Sequence, residues 1–141
     1  MTEPTTATAP PASADEGGQA VRAAVLDYFE GWFEGDPERM RRALHPALSK
    51  RSYGEDRART PALSSLTADQ MVAWTMRGEG RTDDPAERAT TIEIVDVSRT
   101  IACATVRSGE YVEYVHLAST ADGWRIVNTL WRHADGRHPA D

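Results

Sequence analysis

The chain changes its hydrophobic period once, and that change constrains its fold more than any other feature. In three stretches between about residues 19 and 77 apolar residues recur every three or four positions. After Ala89 they fall in four short stretches rich in Val, Ile, Thr, Tyr and Trp, separated by turn residues. The first pattern belongs to amphipathic helices and the second to β-strands. Helices followed by a run of antiparallel strands predict an α+β domain: three N-terminal helices packed on one face of a strongly curved, mainly antiparallel sheet.

The local signals sharpen this outline. Val21, Ala24, Val25, Tyr28, Phe29 and Trp32 mark one face of a helix over about 19–33, and Gly35 stops it. Asp36 is placed to cap a second helix with Pro37 at its first position, and Pro46 keeps that helix from passing Leu44. A short strand is expected over Leu48–Tyr53 and a loop over 54–65. Thr67 then opens a third helix, carrying Met71 and Trp74, that runs to about Arg77. Strands are predicted at Thr91–Ser98, Ile101–Arg107, Tyr111–Ser119 and Trp124–Arg132. Asp122-Gly123 is the expected two-residue hairpin loop, because a type I′ turn needs positive φ at both central residues.

Composition excludes several classes. A net charge of −6 and a pI near 5.2, with bases scattered among acids, argue against a nucleic-acid binder, which needs a basic face. Fifteen of the sixteen basic residues are arginine and Lys50 is the one lysine, a bias read as one of coding rather than of mechanism. One cysteine, Cys103, allows no internal disulfide, and the four histidines lack metal-ligand spacing, so no metal or cofactor is expected. No apolar run approaches the roughly 20 residues that span a membrane. The first residues have neither the basic nor the apolar region of a signal peptide, which leaves a cytoplasmic location as the expectation. Residues 1–18, rich in Pro, Thr, Ala and Ser, read as a disordered tail, 19–134 as the domain and 135–141 as a flexible C-terminal tail.

Several segments together resemble a known family. YFEGWFEGDPERMRRALHP, LSKR, LTADQMV and above all GEYVEYVHLASTADGWRIVNTLW are similar to the nuclear transport factor 2-like superfamily, within it the SnoaL-like, putative lumazine-binding branch. The resemblance covers roughly residues 20–133. It implies a cone, in which a bent sheet wraps the long helix around a pocket open at one end, and a homodimer. It also implies either cofactor-free isomerase, dehydratase or cyclase chemistry or a non-catalytic binding role, so fold alone does not decide function.

Candidate residues follow from the expected hairpin. With Ala121 opposite Trp124, one face carries Tyr111, Glu113, Val115, Leu117, Trp124, Ile126, Asn128 and Leu130, and the other Val112, Tyr114, His116, Ala118, Val127, Thr129, Trp131 and His133. On the second face His116 sits beside Thr129, with Tyr114 and Trp131 as the next pair: His116 as general acid or base, Tyr114 as donor to an oxyanion, Trp131 as a pocket wall. The competing reading makes this face the outer one, buried against a second subunit. Asn128 would meet a ligand carbonyl or satisfy a loop, and Glu113 would form a surface ion pair with Arg132. The cone places Tyr28, Trp32 and Trp74 in the pocket wall, and His45 near its mouth or tying down its own turn.

The expected function is therefore a small-molecule-binding cone for an apolar or aromatic ligand, with no nucleic acid or membrane as partner. The other class is a homodimeric accessory module whose cone is filled by its own side chains. A cavity of roughly 300 Å³ with a titratable group facing in separates them.

Overall fold

The computed structural model describes residues 14–55 and 61–136. Four helices, α1 (Ala14–Glu34), α2 (Pro37–Ala43), α3 (Ala68–Met76) and the single turn α4 (Pro85–Arg88), accompany six strands. The strands are β1 (Leu44–Glu55), β2 (Pro61–Leu66), β3 (Thr90–Ser98), β4 (Ile101–Ser108), β5 (Tyr111–Thr120) and β6 (Gly123–His133). They form one mixed sheet in the order β2-β1-β6-β5-β4-β3, antiparallel except where β1 runs parallel to β6. The helices pack against this open sheet, giving the α+β architecture expected.

Local chemistry explains the helix boundaries. Asp36 accepts a hydrogen bond from the Arg39 N–H at 3.1 Å, Pro37 follows it at the first helical position, and Gly35 (φ +70°) takes the left-handed conformation that ends α1. Thr67 and Gln70 form a reciprocal capping box at the start of α3. Helix α1 begins at Ala14, inside the stretch expected as a tail, while residues 1–13 and 137–141 lie outside the described residues. No described helix is long and apolar enough to cross a membrane.

The core lies between α1 and the inner sheet face. Val21, Val25, Phe29 and Phe33 of α1 and Met40 of α2 meet Val106, Val115, Leu117 and Ile126, all essentially inaccessible to solvent. The helix periodicity is thus spent on one apolar seam, which fixes which side of α1 faces the sheet.

Two expectations about strands need correction. The segment 54–65 is not all loop: Pro61–Leu66 forms the edge strand β2, paired with Lys50–Glu55 of a β1 twice as long as the strand foreseen at Leu48–Tyr53. Backbone pairing suffices for an edge strand, so Ser64 and Ser65 and a leading Pro61 are tolerated there. Pro46 likewise falls in β1, where the ladder with β6 shifts register between Leu44 and Ser49.

The second correction concerns the β5–β6 hairpin. Thr120 pairs with Gly123, so the loop residues are Ala121 and Asp122, and Arg99 is the only described non-glycine residue with positive φ. A type I′ turn at 121–122 is therefore absent. The positive φ (+106°) sits on Gly123 alone, while Thr120 Oγ1 donates to the Gly123 carbonyl at 2.7 Å and accepts from the Asp122 N–H. Farther along, Leu117 faces Ile126 but His116 faces Asn128, leaving Val127 as an extra residue in a β-bulge. The bulge flips β6 relative to the expected pairing from Asn128 onward.

Candidate functional site

The inner face that results combines halves of both expected faces. It carries Glu113, Val115 and Leu117 of β5 with Ile126, Thr129, Trp131 and His133 of β6. Glu113 sits opposite Trp131 rather than Arg132, and Val115 rather than His116 sits opposite Thr129.

On β1 the same alternation turns Leu48, Lys50 and Ser52 inward while Arg51 and Tyr53 face solvent. Lys50 pairs with Thr129 on one side and Leu66 on the other, so its side chain rises in mid-sheet beneath α1. There it meets Glu113. Lys50 Nζ donates to Glu113 Oε2 at 3.0 Å, the Tyr28 hydroxyl donates to the same oxygen at 2.7 Å, and Lys50 Nζ also contacts the Tyr28 hydroxyl. All three residues are at most 5% exposed. The ammonium lies 5.0 Å from the Tyr28 ring centroid and 5.1 Å from that of Trp131, within cation–π reach of both.

A buried ion pair survives only where its hydrogen bonds are satisfied. Here a charge-assisted hydrogen bond from Tyr28 joins that of Lys50 on Glu113 Oε2. Burial pushes the Lys50 ammonium below its ordinary pKa, with the Glu113 carboxylate pulling the other way. Burial, and then the adjacent Glu113 charge, hold the Tyr28 hydroxyl well above its ordinary value, so it stays protonated as a donor.

This cluster forms part of the wall of a cavity of about 350 Å³. Trp32, Tyr111 and Trp131 supply aromatic walls, with Met71 and Trp74 of α3 across from them and Glu79 and Glu110 also in the lining. The walls brace one another. Trp32 Nε1 donates to the Tyr111 hydroxyl at 3.2 Å, the Tyr111 and Trp131 rings meet edge to face at 5.6 Å, and Trp131 meets His133 likewise at 5.1 Å. Gly80 fixes Trp32 from behind: a Cβ there would fall 2.0 Å from the indole ring.

The residues singled out from sequence therefore separate. Tyr28, Trp32, Trp74 and Trp131 come together around the cavity. His116, Tyr114 and Asn128 lie on the opposite, outer face, all exposed. His45, at the start of β1, accepts a hydrogen bond through Nδ1 from the Ala47 N–H at 2.9 Å and stands apart from the cavity lining.

Sequence reasoning missed Lys50 and the burial of Glu113. A signal existed for Glu113: it occupies the middle of an otherwise apolar alternation, Tyr111-x-Glu113-x-Val115-x-Leu117, where a carboxylate must be buried and paired. For Lys50 the signal was weaker, resting on Leu48-x-Lys50-x-Ser52 as an inward row.

Comparison with known proteins agrees with this architecture. The model of a family described as "Putative lumazine-binding" matches residues 16–132. Among solved structures, an NTF2-like protein of unknown function from Silicibacter pomeroyi is similar at 17% identity and TM-score 0.64, covering 86% of this chain and 98% of that one. An NTF2-like protein of unknown function from Shewanella baltica is similar at 17% identity and TM-score 0.63, covering 90% and 98%. A ketosteroid isomerase-like protein from Erwinia carotovora atroseptica is similar at 13% identity and TM-score 0.52, covering 87% and 97%. At these identities the likeness concerns the fold alone. No curated protein matches the chain. With its family model spanning most of its length, the chain belongs to the family described as putative lumazine-binding, and it shares its fold with these NTF2-like structures.

Proposed function

We propose that this protein is a small-molecule-binding cone domain that takes an apolar or aromatic ligand into the cavity beside Lys50, Glu113 and Tyr28. The observation that carries the reading is an aromatic-walled cavity of about 350 Å³ with a buried, paired carboxylate and ammonium in its wall. That volume falls in the usual range for ligand sites, and an apolar lining with a few placed polar groups is what such sites share. The family description and the ketosteroid isomerase-like neighbour point the same way. A cone filled by its own side chains would have left no such space.

The chemistry this wall suits is proton transfer without a cofactor, of the isomerase, dehydratase or cyclase type. Both hydrogen bonds to Glu113 converge on Oε2, which leaves Oε1 to meet a ligand proton. The acid–base role assigned from sequence to His116 passes to Glu113, with the Tyr28 hydroxyl holding its carboxylate in place. His116 and Tyr114 fit better in a contact with a second copy of the chain, since the outer face also exposes Leu130 beside Tyr114.

Titration with planar aromatic compounds, lumazine among them, while tryptophan emission is followed, tests the reading. Trp32, Trp74 and Trp131 line the cavity, so saturable quenching is expected, and Leu66→Trp, which grows a ring into the space, should abolish it. Equal quenching in both proteins would refute it. Sedimentation of wild type against Tyr114→Glu tests the dimer: a dimer in the first and a monomer in the second is expected.

A further inference from the structure

A lysine on a protein surface is unremarkable, but this chain's only lysine is in the wall of a cavity and at most 5% exposed. An ammonium offers three donors, and two are engaged, by Glu113 and Tyr28. The geometry points to a covalent capture group: Lys50 Nζ condenses with the carbonyl carbon of an aromatic aldehyde or ketone held in the cavity, forming an imine. The inference rests on the reading of this cavity as a ligand site and names the chemical class of that ligand.

The neighbours supply each proton the step requires. The Lys50 ammonium passes a proton to Glu113 Oε2, 3.0 Å away, and gains a lone pair. That pair attacks the carbonyl carbon, the C=O bond opens, and one nitrogen proton moves to the alkoxide to give a carbinolamine. Glu113 returns its proton to the new hydroxyl, the C–O bond breaks, water leaves, and a protonated C=N bond remains beside the carboxylate. Ammonium and carbonyl have become iminium and water, with no change of oxidation state and none of net charge. Burial favours the neutral amine that begins the sequence, as it does for other buried nucleophilic lysines.

The lining also selects the partner. Trp32, Tyr111 and Trp131 offer flat surfaces to an aromatic ring. Three carboxylates, Glu79, Glu110 and Glu113, against one lysine disfavour an acidic ligand, whereas a neutral carbonyl compound meets no such repulsion.

A single lysine makes the test clean. The wild-type chain is incubated with benzaldehyde and sodium cyanoborohydride at neutral pH, cleaved at arginine, and the peptide Ala43–Arg51 is mass-mapped. One benzyl group on Lys50 is expected, acquired at least about tenfold faster than by Nα-acetyl-lysine amide, the advantage of a buried amine held beside a proton acceptor. Glu113→Gln should slow the labelling. Where that variant does not fold, the wild-type map decides alone. Labelling confined to the N-terminal amine, or Lys50 reacting no faster than the free amide, overturns the inference. Quenching by benzyl alcohol, which lacks a carbonyl, separates the two readings: quenching without Lys50 labelling removes the imine and keeps the ligand site, and the absence of both removes both.

Discussion

The two faces of the β5–β6 hairpin carry similar residue types and treat them oppositely. Outside, Tyr114, His116 and Asn128 are exposed. Inside, Glu113, Trp131 and His133 line the cavity, and the charged one has been given partners on two other elements, Tyr28 of α1 and Lys50 of β1. Polar side chains that water can reach need no such arrangement, whereas buried ones must be satisfied by the fold itself. The functional groups of a cone are thus best sought where satisfaction has been built in, not where titratable residues are most visible.

Glu113→Ala strikes this contrast hardest. It strands the Lys50 ammonium in the interior, and a loss of about 3–5 kcal/mol in urea unfolding is expected. Replacing both charges with apolar residues, Lys50→Met with Glu113→Leu, should recover most of it, because the penalty belongs to the unpaired charge and not to the pair. If the double variant is as unstable as the single one, the cluster holds the fold in some other way. Tyr28→Phe removes the hydroxyl that donates to Glu113 and should lower stability by about 1.5–3 kcal/mol, the range for a hydrogen bond to a charged group. Gly80→Ala drives a methyl into the Trp32 indole and is expected to cost about 1–3 kcal/mol, with a shift of tryptophan emission as the wall moves. His116→Ala, exposed in the single chain, should change unfolding free energy by no more than about 0.5 kcal/mol when made in the monomeric Tyr114→Glu background. A loss above about 2 kcal/mol in that background would erase the difference between the faces.

The elements were legible and their pairing was not. Caps at Asp36 and Thr67, the stop at Gly35 and the alternation within each late strand are local signals, and all lie where they were expected. The hairpin register depends on which residue takes the positive φ and on one extra residue at Val127, and neither leaves a trace in composition or period. That single residue decided whether Trp131 shared a face with Tyr114 or with Glu113. Strand β2 escaped for a related reason: its pairing with β1 runs through backbone groups that every sequence possesses. Lys50 was visible as the chain's odd cation and was passed over, because an unusual count does not reveal which strand face a side chain takes.

The parallel contact between β1 and β6 has a further effect on how this protein behaves as an ensemble. Tyr28, Lys50 and Glu113 are contributed by three stretches of chain separated by 22, 63 and 85 positions, so no fragment or half-formed intermediate holds the trio. Contacts this remote carry the loop-closure entropy that slows folding. Occupancy of the cavity is then coupled to the cooperative unfolding of the entire molecule, and whatever enters it will raise the melting temperature in proportion to the logarithm of its concentration.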